Sequence, residues 1–129
     1  SKAAPKIILD KKVSVRFDTN VNKLPWKFKV KNNVMDVKIG QVSKVEFEVE
    51  NYGNKITYGV ASFNVSPSSL GQYFNKLGCF CFEKQKLEAG EKAKYILTFY
   101  LDPELVNDLS AKNVEDVTLS YTFFSSDYY

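Results

Sequence analysis

Histidine is absent from this 129-residue chain, and arginine, methionine and tryptophan occur once each, as Arg16, Met35 and Trp26. Without imidazole, His-based acid–base catalysis, Ser-His and Cys-His nucleophilic sites and His-ligated zinc all lose their central residue. One guanidinium is too few for bidentate reading of phosphates or base edges. The net charge of +3 comes from lysines scattered among acidic residues rather than from one basic block, so nucleic acid is not expected as a partner. No apolar run approaches the ~20 residues that a membrane-spanning helix requires, and the longest, Tyr95 to Leu101, is interrupted by Thr98. Cysteine is scarce too: there are two, Cys79 and Cys81, one residue apart.

Phe, Tyr and Val are abundant and recur in short alternating stretches, which favours strands over helices. Val13, Val15 and Phe17 form the first such set, and Trp26, Phe28 and Val30 share a face in the second. Val45, Phe47 and Val49 form the third, followed by turn chemistry in Asn51-Tyr52-Gly53-Asn54. A longer strand is expected from Ile56 to Val65, then Tyr95, Leu97, Phe99 and Leu101 in phase, and Val117, Leu119, Tyr121 and Phe123 as the closing strand. Ser66 as N-cap with Pro67 at the first helical position predicts a short helical turn toward Phe74, and Asp102-Pro103-Glu104 predicts another through Asp108. The fold class is therefore all-β, an antiparallel sandwich or barrel with one or two short helical turns. Residues 13–124 form this single domain, residues 1–12 read as the remnant of an N-terminal tether, and residues 125–129 as a tail. Because the numbering begins at Ser1 rather than Met, the chain is expected to start inside a longer product, from which an upstream anchor or targeting segment can have been removed.

Chemistry is concentrated in Cys79-Phe80-Cys81-Phe82. In an extended segment residues two apart share a face, so both sulfurs project together while Phe80 and Phe82 point the other way, into the core. Three readings fit this spacing. The cysteines can be small core hydrophobes. They can form a disulfide, although Cα atoms ~6.6–6.8 Å apart lie at the edge of bridgeable range and favour a labile bond over a permanent one. Or they can form a soft anionic pair for a metal, and with two thiols and no imidazole the metal they suit is Cu(I).

The surrounding residues extend the pattern. Asn64-Val65-Ser66-Pro67, then Tyr73-Phe74-Asn75-Lys76-Leu77-Gly78-Cys79-Phe80-Cys81-Phe82-Glu83-Lys84-Gln85, closely resemble the signature of the CtaG family of copper chaperones for the CuB centre of cytochrome c oxidase. Leu24-Pro25-Trp26-Lys27-Phe28, Gly90-Glu91, Asp102-Pro103-Glu104 and Leu119-Ser120-Tyr121-Thr122-Phe123-Phe124 follow in the family's order, so the resemblance runs from about Val13 to Phe124.

The resemblance implies an immunoglobulin-like sandwich tethered to the inner membrane by a single upstream helix, on the periplasmic side. In a eukaryote this would be the intermembrane-space side of the mitochondrial inner membrane. It implies a non-enzymatic copper carrier that receives Cu(I) from an upstream donor and delivers it to oxidase subunit I, and that pairs with a second copy through the copper sites. Carried over by position, Cys79 and Cys81 are the copper ligands, framed by Lys76, Tyr73, Phe74, Phe80 and Phe82. Lys76 beside the pair would favour the thiolate, while from composition alone it reads as a solvated surface lysine. Tyr95 stands where many relatives carry methionine and cannot serve as a soft ligand, and Val30 stands where the family usually has proline. Met35 reads as core. A thiol–disulfide redox protein using the same cysteines is the alternative, although the chain lacks a C-x-x-C at a helix start. Glu46, Glu48 and Glu50 read as the solvent face of a strand.

Overall fold

The computed structural model describes residues 7–80 and 83–128. Two sheets face each other. One contains β1 (Lys12–Asn22), β3 (Val34–Lys38), β5 (Thr57–Ser66), β7 (Lys84–Leu87) and β9 (Asp116–Ser125), in the order β3-β1-β9-β5-β7. The other contains β2 (Trp26–Val30), β4 (Ser43–Asn51), β6 (Phe74–Gly78) and β8 (Lys92–Leu101), in the order β2-β4-β8-β6. The expected all-β sandwich is present. Among the described residues no helix is long and apolar enough to cross a membrane.

Alternation decides which side chains meet between the sheets. Val13, Val15 and Phe17 of β1, Val45, Phe47 and Val49 of β4, and Val117, Leu119, Tyr121 and Phe123 of β9 are all buried. Met35 on β3 is half-buried against this core, as expected. The opposite face of β4 carries the glutamates outward. Glu50 lies between Lys27 and Lys92 and Glu48 between Lys29 and Lys94, while Glu46 reaches Lys94 at 4.0 Å. Charges of alternating sign across three strands favour this register over a one-residue slip. Trp26 crosses the interior toward the other sheet: its Nε1 donates to Thr57 Oγ1 at 2.7 Å and its ring meets Phe123 at 5.1 Å. Gly59 is what admits it, because a Cβ there would stand 2.6 Å from the indole.

Three features differ from expectation. β1 and β9 pair in parallel, from Ser14 against Asp116 to Asn22 against Phe124, whereas the other ladders are antiparallel. Strands so distant in the chain share no turn, so nothing local announces their direction. Second, Ser66 is not a helix cap. It is the last residue of β5, paired with Thr118, and Pro67 caps the 3-10 turn Ser68–Tyr73 without a side-chain bond. Ser66 is committed to the ladder and cannot also close the turn. The Asp102 cap is as expected, accepting from the Glu104 N–H at 3.0 Å before the turn Pro103–Asn107. Third, Cys79 and Phe80 lie outside any strand, and β6 and β7 flank them instead. At the chain start, the Leu9 N–H donates to Ile39 C=O at 2.9 Å and its side chain packs on the core.

Asn51 is a fully buried polar residue. Its Nδ2 donates toward the carbonyls of Lys55, Leu87 and Glu88 at 2.8, 3.0 and 3.1 Å, and its Oδ1 accepts from the Gly53 N–H at 2.9 Å. One amide thus ties the end of β4 to the following turn and to the end of β7 in the opposite sheet. Asn51→Ala should lower the unfolding free energy by about 2–4 kcal/mol, since several buried backbone groups lose their partner together. A urea titration should show this as a lower midpoint at unchanged slope.

Candidate functional site

The segment carrying the cysteines joins two sheet edges. β6 is the edge of the four-stranded sheet, paired with β8 as Phe74 with Leu101, Asn75 with Tyr100 and Lys76 with Phe99, with a register shift before Gly78. β7 is an edge of the five-stranded sheet, paired with β5. The chain therefore passes from one sheet to the other between Gly78 and Lys84. Cys81 and Phe82 lie outside the described residues.

Phe80 holds the crossover. It is 6% exposed and stacks on Tyr121 at 4.8 Å and on Tyr95 at 4.9 Å, with Phe47 edge-on at 5.4 Å and Phe28 at 6.2 Å. Tyr95, Phe47 and Phe28 belong to one sheet and Tyr121 to the other, so the ring is gripped from both sides. This agrees with the expectation that Phe80 anchors the segment. Tyr95 contributes its ring face, and burial raises its phenol above the ordinary range.

Cys79 is half-buried at the rim of this cluster, and its sulfur lies 3.1 Å from the Tyr121 hydroxyl. It is held in a disulfide. The sulfur thus has no proton, and the phenol is the donor in this contact. Tyr121 is fully buried, and burial drives its phenol far above its usual range, so the hydroxyl keeps its proton.

Lys76 on β6 reaches toward the opposite sheet, its Nζ 3.4 Å from the Phe63 ring centroid. Phe63 in turn lies 5.8 Å from Tyr121. Desolvation holds the Lys76 ammonium below the usual lysine range, and the ring face compensates part of that cost. It is a half-buried cation rather than a solvated one.

Tyr73 and Phe74 lie at the other end of β6 and act on the strand rather than on the sulfur. Phe74 stacks on Phe99 at 4.9 Å. Tyr73 donates its hydroxyl to Asp108 Oδ2 at 2.7 Å, and its carbonyl accepts from the Asp102 N–H at 2.8 Å. That bond pushes the Tyr73 phenol up to about 12 and, with the Ser110 hydroxyl and N–H, pulls the Asp108 carboxyl below its usual value. The structure therefore brings Cys79, Phe80, Tyr95, Tyr121, Phe63 and Lys76 into one neighbourhood and sets Tyr73 and Phe74 apart as supports.

Neither Tyr121 nor Phe63 is marked by the sequence as a site residue. The one available signal was a hydroxyl at an in-phase core position of β9, where its neighbours are hydrocarbon. Among the described residues no group of three or more His, Cys, Asp or Glu side chains is placed to hold a metal ion.

A sequence model of the family described as cytochrome c oxidase assembly protein CtaG/Cox11 matches residues 1–125. The chain is 48% identical over 121 residues to cytochrome c oxidase assembly protein CtaG of Brucella ovis, a match covering 93% of this chain and 60% of that protein. It is 44% identical over 128 residues to the protein of the same name from Roseobacter denitrificans, covering 98% of this chain and 66% of the relative. The chain thus spans roughly 60% of the length of the Brucella relative.

Two outcomes test the supports. Phe80→Ala should cost about 3–5 kcal/mol, as expected for truncating a core aromatic, read by chemical denaturation. The stabilisation from the Tyr73–Asp108 bond is present above the unfolded carboxylate pKa and is lost as pH falls through the lowered folded value. Tyr73→Phe should accordingly flatten the acid limb of the stability–pH profile while leaving its neutral region sloping as before.

Proposed function

The chain belongs to the cytochrome c oxidase assembly protein CtaG/Cox11 family, and from that premise we propose that it is a copper metallochaperone that carries Cu(I) on Cys79 and Cys81 and delivers it to the CuB centre of oxidase subunit I. The observation that carries this reading is Cys79, half-buried at the rim of the core on a segment whose next residue, Phe80, is locked between both sheets. Soft ligands on a fixed backbone suit a soft ion, and Cu(I) is the one that a pair of thiolates satisfies.

Loading begins with reduction. The S–S bond at Cys79 breaks as a dithiol reductant supplies two electrons and closes to its own disulfide, and its two protons pass to the released sulfurs. Cu(I) taken from an upstream donor then displaces these protons and is held by the thiolates of Cys79 and Cys81. With so few ligands the ion stays open to attack, so an imidazole of the acceptor can bind before the donor thiolates leave. That exchange suits delivery, and it makes the protein a carrier and not an enzyme. Full-length protein would be anchored by one upstream helix in the inner membrane with this domain on the periplasmic side, and two copies would share copper through facing cysteine pairs.

A second reading is favoured by one observation. Cys79 already sits in a disulfide, as a thiol–disulfide redox protein would require. Sustained turnover in a disulfide-exchange assay would support it over copper carriage.

The deciding experiment is an anaerobic Cu(I) titration of the reduced chain against a competing chelator, with native mass measured alongside. We expect tight binding that is lost in Cys79→Ser and in Cys81→Ser while the fold persists, and a mass of two chains when copper bridges them. Full retention of binding in both variants would overturn the proposal.

A further inference from the structure

The β9 face toward the core is hydrocarbon at Val117, Leu119 and Phe123, ends at the buried Ser125, and carries one polar atom in its middle, the Tyr121 hydroxyl. Packing does not require it. The Tyr121 ring stacks on Phe80 at 4.8 Å and meets Phe47 at 5.3 Å and Phe63 at 5.8 Å, contacts that a phenylalanine would make equally well. Placing a hydroxyl in a fully buried position costs about 1–3 kcal/mol when it finds no partner. Here the oxygen is aimed at the Cys79 sulfur, 3.1 Å away.

We propose that Tyr121 is a positioning residue for the cysteine site, whose hydroxyl hydrogen-bonds the Cys79 sulfur and biases it toward the reduced, metal-ready state. The inference rests on the copper-site reading for its purpose, but its chemistry concerns the sulfur alone. A disulfide sulfur is a weak acceptor, whereas a thiolate is a charged one, so the same O–H···S contact strengthens once the S–S bond is broken. Phe80 lies against the Tyr121 ring and precedes the crossover's second cysteine in the chain, so the phenol, the aromatic anchor and Cys79 form one rigid unit. Burial keeps the donor's proton in place across the pH range in which the site would work.

The step is a balanced exchange. The disulfide at Cys79 accepts two electrons from dithiothreitol, the S–S bond breaks, and dithiothreitol closes to its cyclic disulfide with its two protons transferred to the sulfurs or to solvent. A donor that favours the product state raises the equilibrium constant for this exchange.

The test is the equilibrium of the 129-residue chain with reduced and oxidised dithiothreitol, or with a glutathione buffer where that range fits better. Tyr121→Phe should shift the constant toward the disulfide by about tenfold, the size expected for one charge-assisted hydrogen bond. For a two-electron couple this is a potential ~30 mV more negative. Tyr95→Phe removes a phenol oxygen from the other ring stacked on Phe80 and should leave the potential within twofold of the parent. A Tyr121→Phe potential equal to the parent's, in a variant that melts normally, overturns the inference, and so does an equal shift in both variants. Should Tyr121→Phe fail to fold, the Tyr121 Cζ resonance of the 13C-tyrosine-labelled parent carries the test. It must move on reduction of the disulfide, and an unchanged resonance overturns the proposal. Neither readout uses copper, so failure of the metal reading and failure of this inference are separately visible.

Discussion

The placement of one ring between two sheets governs everything that can be said about the cysteines. β6 ends at the edge of one sheet and β7 begins at the edge of the other, and between them Cys79 and Phe80 have no strand ladder of their own to fix them. Phe80 substitutes for that ladder. Burying such a side chain contributes roughly 2–3 kcal/mol, and each well-oriented aromatic contact adds about 0.5–1.5 kcal/mol. Because its partners come from both sheets, the crossover is held only as well as the sandwich is closed. Trp26 and Asn51, which also link the sheets, therefore support the sulfur's position from a distance.

Much of the architecture was legible in the residues because period-2 alternation reports directly on which face meets the core. β1, β4 and β9 carry it plainly, and their apolar buried sets are those the pattern announces, whereas in β8 Tyr95 is only half-buried and Tyr100 is buried out of phase. The edge strands β6 and β7 were not legible. Phe-Asn-Lys-Leu-Gly and Lys-Gln-Lys-Leu each bury a single side chain, Phe74 and Leu87, so neither is long enough in buried positions to show a period. The parallel β1–β9 pairing was invisible for a different reason, being set by the whole chain path rather than by any neighbouring turn. At the site, the Cys-Phe-Cys pattern drew attention to the right segment and to Phe80 as its anchor. Tyr121 went unread as a site residue because its alternation marks it as core, and only three-dimensional proximity reveals which atom its hydroxyl meets.

The chemical character of the site follows from what surrounds the sulfur. On one side is a buried phenol that keeps its proton, and next to it an aromatic wall. Lys76 adds a cation sheltered over Phe63, two aromatic contacts away from the cysteine through Phe63 and Tyr121. Its influence is that of a partly desolvated charge, less screened than a surface lysine and correspondingly longer in reach. Histidine, the usual competitor for such a position, is missing from the whole chain. Sulfur is the only soft donor on the crossover, and Met35, the remaining sulfur, packs against the core from β3.

The parallel contact of β1 with β9 also has a mechanical meaning. The chain enters β1 at the end where β9 begins and leaves β9 at the opposite end, with residues Ser14 to Asn22 aligned along Asp116 to Phe124. A force that draws the two ends of the chain apart therefore slides these strands lengthwise past each other. The load is shared along the whole aligned stretch at once instead of peeling one hydrogen bond after another. A domain pulled from its first strand would resist in shear, the geometry in which a β-ladder yields last.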